Sequence, residues 1–262
     1  RPRGLSIHHK DLVRTLRRQL REDPNGRPHE GRVELLEGLA VADLRREGDR
    51  IAGVVIEGKD GRMHEVKADL VIAADGKGST VRKLAGISDD GRETISFTAG
   101  LELRNASLPR PGYAHVFLGA WGPVLAYPIL READGTVRTR VTIDLPRELP
   151  VKGAALKQFI LRSYVPFVPA PLSAEIAAAI AKVRGPLEMA PTVNLPAPSA
   201  VMPGLALVGD AAGCSHPITA SGMTMGLRDA ETLGVQARRR ADAPAGEPWV
   251  DAESLRRYRA EH

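Results

Sequence analysis

The stretch Leu205–Glu231, LALVGDAAGCSHPITASGMTMGLRDAE, decides how this chain reads. Leu205, Ala206, Leu207 and Val208 form a short apolar run of the kind buried in a parallel sheet. Gly209 permits a sharp turn with no side chain in the way of a ligand, and Asp210 follows at the strand's carboxyl end, where open α/β sheets place their ligands. A short carboxylate there accepts hydrogen bonds from the hydroxyls of a polyol chain. Beyond the His216-Pro217 loop, Gly222, Met223 and Thr224 precede Leu227, Ala230 and Leu233 at helical spacing, so a helix begins here with free N–H groups. Such a terminus favours negative charge. Either half alone is an ordinary strand–loop–helix joint; the order of the parts carries the reading.

Upstream, Asp69–Ala74 reads as a second apolar strand, followed at once by Asp75-Gly76-Lys77-Gly78-Ser79-Thr80-Val81-Arg82. Ser79 is placed to cap a short helix that Gly86 stops. The glycines let backbone N–H groups form an anion-binding concavity, and Lys77 or Arg82 is expected to add charge toward a pyrophosphate. Before this element, Lys10–Arg21 sets Leu12, Val13, Leu16 and Leu20 against arginines, an amphipathic helix that Asn25-Gly26 ends. Val33–Glu37 reads as a strand, and a meander follows with turns at Gly48-Asp49 and Asp60-Gly61.

From Ile95 to Leu145 the texture changes. Ala114, Val116 and Leu118 alternate with other residues, as do Val141, Ile143 and Leu145, and Asp134-Gly135 marks a turn. The expectation is an antiparallel sheet inserted between two parts of an α/β domain, suited to walling a substrate pocket. Gly153–Tyr164 and Leu172–Val183 read as helices, Pro191–Pro203 as a rigid return to the final strand, and Ala241–Pro248 as a linker.

With 262 residues, 43% of them hydrophobic and 26% charged, the chain has enough apolar surface for a sizeable core, which excludes a disordered or fibrous protein. The single cysteine, Cys214, excludes an internal disulfide framework and Cys-x-x-Cys metal spacing, so a reducing compartment is expected. Cys214 itself reads as a small buried hydrophobe rather than a reactive thiol. The net charge of +5 is spread over arginines on helix faces such as Arg14, Arg17, Arg18 and Arg21, which reads as a solvated face. Aromatic residues at 4% are too few for base-stacking platforms, so no nucleic-acid partner is expected. No apolar run approaches the ~20 residues needed to span a bilayer. The chain starts at Arg1 without methionine, and both ends read as cut from a longer protein.

The Asp-Gly element, the Gly-Asp element and the β-rich insert between them resemble the single-component FAD monooxygenases of the para-hydroxybenzoate hydroxylase fold, and among them the squalene monooxygenase (squalene epoxidase) family. The resemblance is carried by His8-His9-Lys10-Asp11-Leu12 with Leu16-Arg17, by Gly122-Pro123-Val124-Leu125-Ala126-Tyr127, and above all by Gly209-Asp210-Ala211 with His216-Pro217-Ile218-Thr219-Ala220-Ser221-Gly222-Met223-Thr224. It runs from about Gly4 to Leu233. Lys10-Asp11 stands where the family has Gly-Arg, and Ala220-Ser221 where it has two glycines.

The resemblance implies an α/β fold, with a Rossmann-like FAD-binding domain whose Gly-rich N-terminal unit is missing from this stretch and an inserted antiparallel β-sheet substrate domain. The expected division is 1–94 and 191–240 for FAD binding, 95–190 for the β-rich substrate domain, and 241–262 for a linker and the start of a helical region. Implied FAD contacts are Arg17, Ala40 through its backbone, Asp210 and Met223, to which the turn at Gly209 and the helix start at Gly222 are added from the residues themselves. His9 and Tyr127 are candidates for the substrate side. The implied activity is insertion of one atom of O₂ into an apolar substrate, by epoxidation or hydroxylation, the oxygen donor being a hydroperoxide on the reduced flavin. The cofactor carries the hard chemistry, so no catalytic triad and no metal are expected. NADPH supplies electrons, directly or through a reductase partner, and the expected location is the cytoplasm or, peripherally, the cytoplasmic face of a membrane. A flavin-dependent prenyl reductase and a flavin-free lipid-binding relative are the alternatives.

Overall fold

The structure, a computed structural model, describes residues 8–22, 33–196, 200–217, 221–238 and 252–261. In chain order its elements begin with α1 (His9–Arg21), β1 (Ala40–Glu47), β2 (Arg50–Glu57), β3 (Met63–Lys67), β4 (Val71–Ala73) and α2 (Thr80–Leu84). Next come β5 (Glu93–Arg104), β6 (His115–Gly119), β7 (Gly122–Arg131), β8 (Val137–Pro146), α3 (Ala155–Ser163) and α4 (Leu172–Lys182). The last are β9 (Met189–Asn194), β10 (Val201–Met202), β11 (Leu205–Leu207), α5 (Gly222–Arg238) and α6 (Ala252–Glu261). The chain divides into two compact units, Arg1–Leu35 with Ile95–Thr192 and Leu36–Thr94 with Val193–His262.

The first unit is built on a five-stranded sheet of order β6-β7-β8-β5-β9. Period-2 alternation gives it one apolar face: Ala99 and Leu101 of β5, Val124 and Ala126 of β7, and Val141 and Ile143 of β8 are buried together. Against that face pack Leu156 and Ile160 of α3 and Leu172, Ile176 and Ile180 of α4, each recurring at helical spacing. The other face is polar, and there Arg138 of β8 pairs with Glu102 of β5.

On β6 the register decides which residues enter the core. Phe117 pairs with Val124, which is buried, so Phe117 packs inward while Val116 is 53% and Leu118 75% exposed. The alternating set Ala114, Val116 and Leu118 therefore belongs to the face away from the helices.

Tyr164, which closes α3, is buried and its hydroxyl shares its proton between the carbonyls of Trp121 (3.0 Å) and Asp144 (3.1 Å). Burial, and then the charge of Asp144, push the phenol well above its ordinary pKa, so it stays a donor. Tyr164→Phe is expected to lower unfolding free energy by about 1 kcal/mol, read from urea denaturation, because two carbonyls lose their donor while packing is kept.

In the second unit β1, β2 and β3 form the expected meander, with Gly48-Asp49 and Asp60-Gly61 at its turns. A small sheet of order β10-β11-β4 carries the parallel pair foreseen from the two apolar runs, with Leu205 opposite Val71 and Leu207 opposite Ala73. Leu205, Ala206 and Leu207 are wholly buried among Ile51, Val81, Leu233, Leu255 and Tyr258. Gly204, between β10 and β11, has φ +76° and lies so close to the Ile51 carbonyl that a β-carbon would collide with it. Two hydrogen bonds of 2.9 Å, Ile51 N–H to Pro203 and Val71 N–H to Gly204, fix this joint.

Three expectations change. Val33–Glu37 forms no strand, with Val33 52% and Leu36 54% exposed, because it meets no ladder partner among the described residues; strand pairing starts only at Ala40. The Pro-rich return contains an edge strand, since Pro191 lies within β9, where a missing N–H is tolerated. The third is the stop of α1: the helix ends at Arg21 as read, but it is closed by Glu22, whose N–H donates to Arg18 at 2.9 Å, and Asn25-Gly26 lies outside the described residues. The linker Ala241–Pro248 lies outside them as well.

Candidate functional site

Both strands of the parallel pair end in a turn made of glycine and aspartate. β4 runs into Asp75-Gly76 and β11 into Gly209-Asp210, and the Val208 N–H donates to Ala73 at 3.0 Å, so the two tips stand side by side.

At the first tip the carboxylate works locally. Asp75 accepts from the Ser79 hydroxyl at 2.6 Å and from the Val81 N–H at 3.1 Å, while Ser79 Oγ accepts from the Arg82 N–H at 2.9 Å, which is the expected cap of α2. The expectation for Arg82 is overturned. Its side chain turns inward, leaving the residue 1% exposed, and Nη1 donates to the carbonyls of Ala211 (3.1 Å) and Ala212 (2.8 Å). Nη2 donates to Ser88 at 2.8 Å, and Nε lies 2.9 Å from Asp89. A guanidinium engaged on every side has no charge to offer a pyrophosphate; it joins the two tips instead. Lys77 stays exposed on the loop.

At the second tip Gly209 has φ +57°, the left-handed region in which glycine is the default residue. Its N–H donates to Asp229 Oδ2 at 2.7 Å, and Asp229 is a 2% exposed residue of α5. α5 approaches closely here: a β-carbon on Gly226 would sit 3.6 Å from the Gly209 Cα. Asp210 itself is exposed, and no described group bonds to its carboxylate. A β-carbon on Gly222 would lie 3.6 Å from Asp210 Oδ1, so the carboxylate faces the start of α5. There Met225 N–H bonds to Ser221 at 2.8 Å, which leaves the N–H groups of Gly222, Met223 and Thr224 without intrahelical acceptors.

The second tip and the start of α5 line one cleft of about 520 Å³, with Asp229 at its wall; the first tip is not among its lining residues. Of the residues singled out from sequence, the cleft brings together Gly209, Asp210, Gly222 and Met223, the last 65% exposed. Ser221 also lines it, whereas Ala220 lies outside the described residues. Ala40 is exposed at the start of β1, opposite Glu57, and is not among the lining residues. His9 and Arg17 lie exposed on α1, and Tyr127 half-buried on β7 opposite Arg140, all in the other unit.

Cys214 differs from its reading as a buried hydrophobe: it is half-buried, lines the cleft, and its Sγ donates to the Val193 carbonyl at 3.3 Å. Burial, then the nearby charge of Asp210, raise its thiol pKa and keep it protonated. Asp229 was not foreseen. Its only trace in the sequence is a carboxylate on the helix face shared by Gly226, Leu233 and Gln236.

The cleft's donor set fits a flavin. A carboxylate with no partner among the described residues, at the tip of a parallel strand, suits polyol hydroxyls, and the opposing helix start suits the negative end of a reduced isoalloxazine.

Solved structures share this fold. The FAD-dependent monooxygenase PqsL of Pseudomonas aeruginosa, described as probable, matches with TM-score 0.58 at 26% identity, over 85% of this chain and 58% of that one. HpxO of Klebsiella pneumoniae, solved with FAD and uric acid, matches in fold with TM-score 0.57 at 22% identity, over 83% of this chain and 52% of that one. The fold is that of the FAD-dependent monooxygenases of the para-hydroxybenzoate hydroxylase type.

Within that class the squalene epoxidase family profile matches residues 67–242. Squalene epoxidase erg1 of Aspergillus fumigatus is 32% identical over 88% of this chain and 46% of its own length; squalene monooxygenase of Mus musculus is 30% identical over 86% and 36%. The chain belongs to the squalene epoxidase family. It spans less than half the length of these curated relatives.

Proposed function

We propose that the full protein is an FAD-dependent monooxygenase that places one oxygen atom from O₂ into an apolar, alkene-bearing or aromatic small molecule. The observation that carries this reading is the open Asp210 carboxylate facing the amino end of α5 across the cleft. FAD, when bound, supplies the redox and oxygen chemistry. The chain's own residues bind and orient it. Asp210 accepts hydrogen bonds from the ribityl hydroxyls, while the N–H groups of Gly222, Met223 and Thr224 offset charge on the ring. Met223 offers an apolar surface at the helix start. Gly209, free of a side chain, lets the ligand approach the backbone.

Other parts of the reading rest on the family. Residues 1–94 and 191–240 serve the cofactor, with Arg17 and the Ala40 backbone as further contacts, and 241–262 leads into a helical region. Residues 95–190 serve the substrate, with Tyr127 and, from α1, His9 on its side. Electrons come from NADPH through a reductase or directly. No helix among the described residues is long and apolar enough to cross a membrane, and the proposed location is the cytoplasm or, peripherally, the cytoplasmic face of a membrane.

The test uses the full-length protein with FAD, NADPH, a reductase and isotopically labelled O₂. The expected result is one labelled oxygen atom in a lipid alkene or aromatic substrate. Oxygen consumption with no label in product, or a saturated product formed anaerobically, overturns the assignment.

A further inference from the structure

The backbone that presents Asp210 is held by buried side chains from three helices, one of which, Asp229, also lines the cleft. Arg82, from α2, takes the carbonyls of Ala211 and Ala212. The Tyr258 hydroxyl, wholly buried on α6, donates to the Leu207 carbonyl at 2.7 Å. Asp229, from α5, receives the Gly209 N–H at 2.7 Å. Next to the carboxylate that handles the ligand stands a second one that is shut away from solvent. We propose that Asp229 is a positioning residue of the flavin site, fixing the Gly209 amide and so the direction in which Asp210 leaves the strand, with Tyr258 of α6 steadying the Leu207 carbonyl at the end of β11. The inference rests on the flavin reading given above.

The physical argument is one of burial and choice of acceptor. A buried carboxylate is costly unless its oxygens accept hydrogen bonds, and a helix interior offers no reason to keep one for packing alone. Gly209 sits at φ +57°, so its N–H points away from the strand ladder and needs an acceptor that the sheet cannot supply. Asp229 supplies it from the helix whose first turn faces Asp210. One helix thereby sets both sides of the cleft: its start opposes the ligand's charge and its third turn aims the carboxylate. Tyr258 is pushed above its ordinary pKa by burial and then by Asp229, and it remains a donor to Leu207.

The test compares full-length wild type with Asp229→Ala, Asp229→Asn and Tyr258→Phe, reading FAD affinity by quenching of flavin fluorescence, the visible spectrum of bound flavin, and amide exchange at Gly209. Loss of a hydrogen bond to a charged acceptor predicts FAD binding weakened about tenfold to a hundredfold in Asp229→Ala, with faster exchange at Gly209. Asp229→Asn keeps an acceptor oxygen and is expected to bind within about threefold of wild type. Tyr258→Phe keeps its ring in the core and loses only the hydroxyl, so it reports even where Asp229→Ala does not fold; its expected weakening is about threefold to tenfold. Unchanged affinity and spectrum in Asp229→Ala, or weakening by Asn as large as by Ala, overturns the role of Asp229; unchanged affinity in Tyr258→Phe overturns that of α6. Should wild type bind no flavin, the proposed function fails, and Asp229 is judged on exchange at Gly209 in the apoprotein, where no change overturns its role.

Discussion

Asp210→Ala in the full-length protein is expected to abolish retention of FAD while leaving the apoprotein folded. Its carboxylate has no described protein partner and is exposed, so removing it breaks nothing in the scaffold, and a surface change of this kind stays within about 0.5 kcal/mol of wild-type stability. Toward a ligand the loss is large. Hydrogen bonds to a charged acceptor contribute about 1.5–3 kcal/mol each, so losing two from a polyol chain weakens binding by a factor of about 100 or more. Purification of a colourless but normally melting protein is the expected outcome, checked by visible absorbance and thermal denaturation. Flavin bound as in wild type would remove Asp210 from the site.

Arg82→Met is expected to show the opposite division. The guanidinium is buried beside Asp89 and donates to three backbone carbonyls. Removing it leaves three carbonyls without a charged donor and Asp89, whose side chain is 33% exposed, without its partner, a loss of about 3 kcal/mol. Urea denaturation of the apoprotein should show that loss directly. Arg82→Lys keeps the charge but cannot place separate donors on Ala211, Ala212 and Ser88, so most of the loss should persist. A stable variant with impaired FAD binding would instead mean that Arg82 faces the ligand.

That contrast marks where the sequence could and could not be read. The two strand tips were legible because each joins an apolar run to a turn-forming pair, and Ser79 was legible as a cap because N-capping is local chemistry. The direction of Arg82 was not, since it depends on the carbonyls of Ala211 and Ala212, 129 and 130 residues further along the chain. Val33–Glu37 has strand-like composition, but a strand exists only when another pairs with it. The β6 face was ambiguous for a related reason: alternation reveals two faces, and only the pairing of Phe117 with Val124 says which of them is inward. Asp229 escaped notice because a carboxylate within a helix ordinarily reads as solvated surface.

The Gly204 joint has a consequence for how relatives can differ in length. With its backbone pressed on Ile51 and bonded to Val71, it acts as a stop from which the chain is measured out to Gly209. Insertions or deletions before Pro203 are absorbed ahead of the stop and leave the tip where it is. A single residue gained or lost between Gly204 and Gly209 would carry Asp210 to the wrong side of the sheet, so tolerance of length change should end abruptly at this glycine.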